Sequence, residues 1–212
     1  MVREAAAAGL ELEVLALREG VEDVGVDARR TVVLSERVFK SVSDTVTPQG
    51  VMAIGHRTPA GFAEALAAAQ ASGWPLLVLD GVQDPGNVGA IARTAAAAGA
   101  PALAVLPGTA DPFGPKAVRA SAGNVFRLKL ARVQWKDLAE LDGYGAAPSG
   151  GAPLAEAPIE SAGMVVLGSE AHGLSRQDLR LVTVPLTEGV ESLNVAAAAA
   201  LILFEIRRRL GA

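Results

Sequence analysis

Polar side chains able to bind or act on a ligand are concentrated in three short loops of this 212-residue chain. The first loop leads into a helix that carries Arg93, the second carries Glu170, and the third carries Ser192 and Asn194. Each loop follows a short apolar run and contains glycine, which allows a backbone to approach a ligand closely. The Ser-Leu-Asn entrance to the last helix offers a hydroxyl, an amide and free backbone N–H groups together, which form a cradle for a polar ligand.

The first loop contains Asp84-Pro85-Gly86, a turn between a predicted strand and a helix that is expected to begin near Asn87. Two interpretations of Asn87 are open, a helix N-cap and a site residue. Arg93 lies six residues further along, among Val, Gly, Ala and Ile. It is within two turns of the carboxyl end of the strand, where open α/β sheets bind ligands. A buried structural ion pair is the alternative for Arg93.

The second loop, 168–173, is rich in glycine, but its spacing fits neither a dinucleotide-binding fingerprint nor a P-loop, which argues against NAD and ATP. Glu170 is interpreted either as a charge at a helix N-terminus or as a site residue, and Ser175 is expected to cap a short helix. In the third loop, either Ser192 or Asn194 can cap the final helix. No metal site is expected, because the chain has two histidines and no cysteine.

The elements that position these loops follow an alternation of short apolar runs and Ala-rich stretches, which is typical of β-α units around a largely parallel sheet. Strands are predicted at Val14–Leu17, Thr31–Leu34, Val51–Ile54, Leu76–Leu79, Ala102–Leu106, Val125–Leu130, Met164–Leu167 and Leu181–Val184. Helices are predicted at Ala60–Ser72, Val88–Ala98, Pro115–Ala122, Gln134–Leu141 and Leu193–Leu210. The best break in the pattern lies near Gly55–Gly61, before a helix that can act as a spacer.

Composition excludes several classes of protein. The chain is 50% apolar with a net charge of -4, which excludes disorder, and its lack of cysteine excludes a disulfide scaffold or a zinc finger. The longest apolar run, Val195 to Phe204, has only ten residues, which is too short for a membrane-spanning helix. Residues 1–20 do not resemble a signal peptide. A soluble, intracellular protein that does not contact a membrane is therefore expected.

A local basic segment lies within this acidic chain. Six cations and no acid occur between Asp111 and Asp137, and they are Lys116, Arg119, Arg127, Lys129, Arg132 and Lys136. One interpretation is a solvated face of a helix and a strand. The other is a patch that follows a phosphate backbone, because unopposed cations attract a polyanion.

In order and spacing, the three loops resemble the signature motifs of the SpoU/TrmH family of RNA ribose 2'-O-methyltransferases. The matching stretches are Asp-Pro-Gly-Asn-Val-Gly-Ala-Ile-Ala-Arg-Thr (84–94), Leu-Gly-Ser-Glu-Ala-His-Gly-Leu (167–174) and Val-Pro-Leu-Thr-Glu-Gly-Val-Glu-Ser-Leu-Asn-Val (184–195). Pro-Lys-Ala-Val-Arg-Ala-Ser-Ala-Gly (115–123) is similar to a further segment of the family. Residues 1–57, most clearly 39–51, are similar to the back half of the ribosomal-protein-like RNA-binding domain that precedes the catalytic domain in many members.

The resemblance implies a fold and a domain arrangement. Residues 74–212 are expected to form a SPOUT-type α/β methyltransferase domain whose C-terminal segment makes a deep trefoil knot, and which functions as a homodimer. Residues 1–57 are expected to form a small, shortened α/β domain that binds the RNA substrate. Residues 58–73 are expected to be a linker with a spacer helix.

The resemblance also implies a set of site residues. S-adenosylmethionine is expected in the loops of the knot, on Leu167, Gly168, Val184, Leu186, Ser192 and Leu193, with residues 145–148 as a further wall. The catalytic residues are expected to be Arg93, Asn87, Glu170, Ser192 and Asn194. RNA contacts are expected from Lys116, Arg119, Ser121 and Arg127.

The implied reaction is an in-line attack of a ribose 2'-hydroxyl on the methyl group of S-adenosylmethionine in cytoplasmic RNA, with ribosomal RNA favoured over transfer RNA. Arg93 is expected to grip a phosphate and stabilise charge on the 2'-oxygen, because a guanidinium is a poor base at neutral pH. A role as a base is the alternative, and in the family this arginine can serve the pocket of the partner subunit. Two rival functions are a non-catalytic RNA-binding or assembly protein that keeps the fold, and methylation of a base nitrogen.

Overall fold

The apolar runs of the sequence become the strands of two separate sheets in the computed structural model, which describes residues 1–43, 45 and 47–211. The chain divides into two units, Met1–Thr58 and Pro59–Ala212. Asp44 and Val46 belong to the 39–51 stretch that resembles an RNA-binding domain, and they lie outside the described residues.

The first unit contains helix α1 (Val2–Ala7), strand β1 (Glu11–Arg18), strand β2 (Arg30–Leu34), helix α2 (Glu36–Val42) and strand β3 (Val51–His56). Its sheet has the order β2-β1-β3, with β2 parallel and β3 antiparallel to β1. Leu15 and Phe39 are fully buried. The three predicted strands are present. The sequence predicts neither helix, because both are short and neither has a side-chain cap.

The second unit is built on a seven-stranded sheet. Its strands are β4 (Leu76–Asp80), β5 (Ala102–Val105), β6 (Lys129–Arg132), β7 (Gly143–Ala146), β8 (Ala152–Pro153), β9 (Met164–Gly168) and β10 (Arg180–Thr183). Its helices are α3 (Phe62–Ala71), α4 (Pro85–Ala98), α5 (Pro115–Ala120) and α6 (Val195–Arg209). The strand order is β6-β5-β4-β9-β7-β10-β8, and all neighbours are parallel. The predicted parallel α/β sheet is confirmed, and its strands all present their carboxyl ends at one edge.

Strand β4 shows why the sheet is covered on both faces. Leu77 and Leu79 pack in one core with α4 and α6, whereas Leu76 and Val78 pack in a second core with α3. All five residues of β4 are buried. Since successive side chains point to opposite faces, such a strand needs a layer of helices on each side.

Helix α3 occupies the segment 58–73, for which the sequence predicts a linker and a spacer helix. Ala65 and Ala69 of α3 are buried in the second core of the sheet. Lys129 of β6 also pairs with Glu64 of α3, with 2.7 Å between Nζ and Oε1. The helix is therefore a packed layer of the second unit rather than a spacer, because its alanines allow it to approach the sheet closely.

The region between β6 and β9 differs from the sequence-based prediction. The predicted strand Val125–Leu130 is a 3₁₀ turn at Asn124–Arg127 that leads into β6. The predicted helix Gln134–Leu141 is only a 3₁₀ turn at Trp135–Leu138. Among the described residues, no helix has both the length and the apolar character required to cross a membrane.

Strand β7 is central in the sheet although the sequence does not predict it. Its Gly-Tyr-Gly-Ala sequence has weak β propensity. Close packing requires both glycines, since a Cβ at Gly143 would lie 2.5 Å from Met164 Cγ and a Cβ at Gly145 would overlap Leu174 Cδ1. The strand is therefore selected by tertiary packing rather than by local preference.

Candidate active site

A cavity of about 240 Å³, called here the first cavity, lies at the carboxyl ends of β9, β7 and β10, which are adjacent in the sheet. It is lined by all of the residues predicted to bind a cofactor, namely Leu167, Gly168, Val184, Leu186, Ser192 and Leu193. Ala146, Ala147 and Pro148 form another wall, in the segment where the sequence predicts one. Most of these side chains are aliphatic, so polar recognition inside the first cavity falls mainly to backbone groups.

Asn194 joins the three loops beside this cavity. Its Nδ2 donates hydrogen bonds to Glu170 Oε1 at 2.6 Å and to Asn87 Oδ1 at 3.2 Å. Its Oδ1 accepts from the backbone N–H groups of Ala196 at 3.0 Å and Ala197 at 3.4 Å, which caps α6. One side chain therefore starts the final helix and also holds together a residue from each of the other two loops.

Glu170 lies in a tight turn between β9 and β10. Two backbone hydrogen bonds between Ser169 and Gly173, of 3.0 and 2.8 Å, close this turn. Glu170 Oε1 also accepts from the N–H of Val195 at 3.4 Å, the first residue of α6. Glu170 therefore lines the first cavity and lies at the N-terminus of α6, whereas the short helix predicted after the second loop is absent from the described residues.

Ser175 follows the second loop, but no helix begins there, so its predicted capping role is wrong. The N–H of Ser175 donates to Asp80 Oδ2 at 2.6 Å, and its hydroxyl donates to Asp80 Oδ1 at 2.9 Å. Asp80 ends β4 and is only 5% exposed. These two hydrogen bonds tie the loop after β9 to the end of β4. No role for Asp80 is predicted from the sequence, although an acid at the end of an otherwise apolar strand is a signal that could have indicated one.

Helix α4 begins at Pro85, two residues before Asn87. Its N-cap is Asp84 rather than Asn87, because Asp84 Oδ1 accepts from the N–H groups of Gly86 at 2.6 Å and Asn87 at 3.1 Å. Lys116 Nζ donates to Asp84 Oδ2 at 2.9 Å. That hydrogen bond and the N–H of Asn87 lower the pKa of Asp84 below its ordinary value. The side chain of Asn87 is thereby left for the site.

Arg93 is exposed on α4 and lines neither the first cavity nor its neighbouring loops. It has no hydrogen bond or ion pair to any residue that the structure describes. A buried ion pair, the alternative interpretation, is therefore wrong. Six helical residues separate Arg93 from Asn87, which is about 9 Å along the axis. Within one chain, the structure brings together Asn87, Glu170 and Asn194 but does not bring Arg93 to them.

The positive charge of the basic segment is partly neutralised by acids that are distant in the sequence. Lys116 pairs with Asp84 at 2.9 Å, Lys129 with Glu64 at 2.7 Å, and Arg132 with Asp111 at 2.8 Å. Within the described residues at least three of the six cations are therefore opposed by a carboxylate, contrary to the expectation of an unopposed positive charge.

Ser121, predicted to contact RNA, has no accessible surface. Its hydroxyl donates to the carbonyl of Val118 at 2.9 Å and accepts from the N–H of Gly123 at 3.2 Å. The prediction is wrong because these bonds use the side chain to shape the turn after α5. Throughout the described residues, no group of three or more His, Asp or Glu side chains is arranged to hold a metal ion.

Comparison with known proteins gives consistent results. The model of the SpoU rRNA Methylase family matches residues 75–204. The chain is 38% identical to the 23S rRNA (guanosine(2553)-2'-O)-methyltransferase RlmP of Bacillus subtilis over 82% of this chain and 71% of that protein. It is 34% identical to the 23S rRNA (guanosine-2'-O-)-methyltransferase RlmB of Xanthomonas axonopodis over 92% of this chain and 84% of that protein. The crystal structure of an AdoMet-bound rRNA methyltransferase from Sinorhizobium meliloti superposes with a TM-score of 0.81, at 29% identity, over 98% of this chain and 84% of that chain.

Proposed function

The chain belongs to the SpoU rRNA methylase family, and we propose that it methylates ribose 2'-hydroxyls of RNA with S-adenosylmethionine as the methyl donor. The observation that carries the proposal is the position of Asn194, which bonds Glu170 and Asn87 beside the first cavity. Three loops that are distant in the sequence thereby supply polar groups at one edge of the sheet.

The first cavity has the chemical character that S-adenosylmethionine requires. Aliphatic walls such as Leu167, Val184 and Leu193 suit the flat faces of an adenine ring. The loop backbone at Gly168 and Ser169 can recognise the polar edge of the ring and the ribose. When bound, S-adenosylmethionine supplies a methyl group on a positively charged sulfur, which is open to attack by an oxygen.

The polar cluster orients the attacking ribose. Asn194 is fixed because it caps α6, and it fixes Glu170 in turn. Ser192 lines the same cavity two residues earlier and can hold the ribose by its hydroxyl. Alignment of the 2'-oxygen with the methyl carbon lowers the barrier by removing orientational freedom. Arg93 stays protonated at neutral pH, so we assign it to the adjacent phosphate and to the charge that develops on the 2'-oxygen.

Arg93 is proposed to act in the first cavity of a partner subunit. Its exposure on α4 and its separation from the polar cluster of its own chain support this assignment. Helix α6 packs against α4 and exposes about half of the Leu201 and Phe204 side chains, which lie three residues apart on one face. Apolar side chains exposed together on helices suit a homodimer interface.

The proposal includes the knot of the family. It is supported by the position of β10 between β7 and β8, two strands that precede it in the chain. We further propose 23S rRNA rather than transfer RNA as the substrate, because RlmP and RlmB carry that substrate in their names. Residues 1–57 are proposed to bind this RNA, with Lys116, Arg119 and Arg127 on the second unit. With such a substrate, we also propose a cytoplasmic location.

A complementation experiment tests whether Arg93 acts in the first cavity of the partner subunit. Arg93→Ala is expected to reduce methyl transfer at least ~100-fold. Its melting temperature and S-adenosylmethionine affinity should not change, because Arg93 makes no hydrogen bond or ion pair to any described residue. Val184→Trp is expected to block the first cavity while leaving Arg93 intact. Dimers formed from an equal mixture of the two inactive variants should recover about a quarter of the wild-type activity.

The mixture also separates the possible outcomes. If Arg93 acts within its own chain, no mixed dimer contains a working site and the mixture stays inactive. If Arg93→Ala alone retains near-normal activity, Arg93 has no catalytic role. The non-catalytic alternative requires that the folded wild-type protein bind RNA and transfer no methyl group.

A further inference from the structure

A second cavity of about 270 Å³ lies at the same edge of the sheet as the first. It spans the carboxyl ends of β6, β5, β4 and β9, whereas the first cavity spans β9, β7 and β10. Ser169 and Gly173 line both cavities, so only the turn after β9 separates them. The second cavity also lies where the chain changes direction across the sheet, which is the usual place for a ligand in an open parallel sheet.

Trp135 is held rigidly in the wall of this second cavity. Its indole Nε1 donates to Ser175 Oγ at 2.8 Å, and Ser175 is bound in turn by the buried carboxylate of Asp80. The Arg176 guanidinium lies 5.5 Å from the centre of the indole and does not line the cavity. The ring is therefore held by Ser175, Arg176 and the second core while it lines the cavity.

The lining favours a flat, uncharged, polar ligand over an anion. Leu106 and Pro107 provide apolar surface, and Gln83 provides an amide at the edge. Asp80 also lines the cavity and has no ion-pair partner among the described residues, so its charge would repel a phosphate group. An aromatic platform beside amide groups is how proteins bind an unpaired base of RNA.

A cation next to Trp135 in the chain suits the phosphate of the nucleotide that carries such a base. Lys136 follows Trp135 in the chain and is exposed. Within the described part of the chain it has no ion-pair partner, unlike Lys116 and Lys129. Base recognition inside the cavity and phosphate contact outside it would thus come from neighbouring residues.

We propose that the second cavity binds an unpaired nucleobase of the RNA, stacked on Trp135, next to the ribose that is methylated. This inference rests on the proposed function, because the neighbouring first cavity must hold the methyl donor. It assigns Trp135 to substrate binding and assigns Asp80 and Ser175 to its positioning.

Intrinsic fluorescence tests the proposal, because the chain has only two tryptophans and Trp74 is buried. A single-stranded hexaribonucleotide should quench the wild-type emission, and the same oligomer with abasic sugars should not. The base-dependent quenching should disappear in Trp135→Phe, which keeps a ring but loses the indole. Trp135→Ala should raise the Kd for the oligomer roughly tenfold and leave the Kd for S-adenosylmethionine unchanged.

Three results would overturn the proposal. One is the absence of base-dependent quenching up to about 1 mM oligomer, since even non-specific binding saturates below that concentration. Another is equal quenching by the abasic oligomer. The third is a parallel loss of S-adenosylmethionine affinity in Trp135→Ala, which would assign Trp135 to the packing of the loop. Failure of the proposed function is distinguishable, because methyl transfer would then be absent while base-dependent quenching persisted.

Discussion

The two cavities share one edge of the sheet and one turn of the chain, yet their linings differ in kind. The first is walled by aliphatic residues such as Leu167 and Val184, so its specificity depends on the path of the backbone. The second is walled by side chains with distinct polar functions, including Asp80, Gln83 and Trp135. We therefore expect ligand affinity in the first cavity to fall mainly when the loop geometry changes. Affinity in the second cavity should fall when a single side chain is removed.

The largest effect is expected from Gly168→Ala, because this residue lies in the boundary between the cavities. A Cβ at this position would lie 2.5 Å from the carbonyl carbon and oxygen of Gly173 and 2.8 Å from the N of Leu174. Overlap with backbone cannot be relieved by a rotamer change, so we expect a loss of about 3 kcal/mol of stability. Both S-adenosylmethionine and RNA affinity should fall by roughly 100-fold or more.

Gly61→Ala is the matched control, since a Cβ there meets no atom within 4 Å and the backbone φ is -69°. Calorimetry with S-adenosylmethionine and a filter-binding assay with RNA measure the two affinities. Loss of only one affinity in Gly168→Ala would show that the turn is not a shared wall.

The next largest effect is expected at Asn194. Its Oδ1 caps α6, whereas its Nδ2 binds Glu170 and Asn87. Asn194→Ala removes the cap of α6 and should cost about 1 kcal/mol in urea unfolding. It also removes the bonds to Glu170 and Asn87, so methyl transfer should fall roughly tenfold or more. Asn194→Asp keeps an oxygen for the cap but cannot donate to Glu170, and it places a second carboxylate beside it.

The Asp variant should therefore keep the cap, lose stability only through repulsion between the two carboxylates, and lose activity as severely as the Ala variant. If Asn194→Asp is as active as the wild type, Asn194 is only a helix cap. The hydrogen bonds that join the three loops are then not needed for methyl transfer.

Asp80→Asn is expected to affect the second cavity alone. One carboxylate oxygen becomes an NH₂ group facing a donor on Ser175, so one of two hydrogen bonds is lost, at a cost of about 1–2 kcal/mol. We expect the Kd for RNA to rise roughly fivefold and the Kd for S-adenosylmethionine to stay constant. Ser175→Ala, which keeps the backbone N–H donor, should have the smaller effect of the two. A change in S-adenosylmethionine affinity alone would contradict the division between the cavities.

The smallest effect is expected at Glu205, which lines neither cavity. Hydrogen bonds from Arg208 and Arg209 lower the pKa of Glu205 to about 2. A lowered pKa stabilises the fold above the ordinary value of 4.5, and this contribution is lost as the pH falls from there towards 2. Glu205→Gln should cost about 1 kcal/mol at pH 7, and its difference from the wild type should shrink over that range. Neither ligand affinity should change in this variant, and a change in either would mean that the end of α6 influences the cavities.

The loops of the first cavity could be predicted from sequence because the residues that mark each loop are close together in the chain. Glycine and polar residues after short apolar runs mark where strands end, and the carboxyl ends of parallel strands meet at one edge. Leu167 and Val184 themselves are predicted through the resemblance to the SpoU/TrmH family, whose motifs fall in these loops. The role of Asn87 required the structure, because the choice between capping and site depends on where the helix starts, and Asp84 takes the cap.

The charge pattern shows what a sequence count misses. Lys129 and Glu64 are 65 residues apart, and Lys116 and Asp84 are 32 apart, yet each pair is in contact. Folding brings acids from α3 and the start of α4 onto the basic segment, which no window along the chain reveals. The second cavity could not be predicted for the same reason, since Asp80, Trp135 and Ser175 lie at or after the ends of β4, β6 and β9, which meet only at the edge of the folded sheet.

The most direct test of the central claim is mass spectrometry of nucleosides from RNA treated with the protein. Unmodified 23S rRNA transcript is incubated with S-adenosylmethionine that carries a deuterated methyl group, digested to nucleosides and fragmented. We expect the label on the ribose of one nucleoside, and we expect Arg93→Ala to abolish it. Label on a base, or no label from a folded protein that binds S-adenosylmethionine, would contradict the claim.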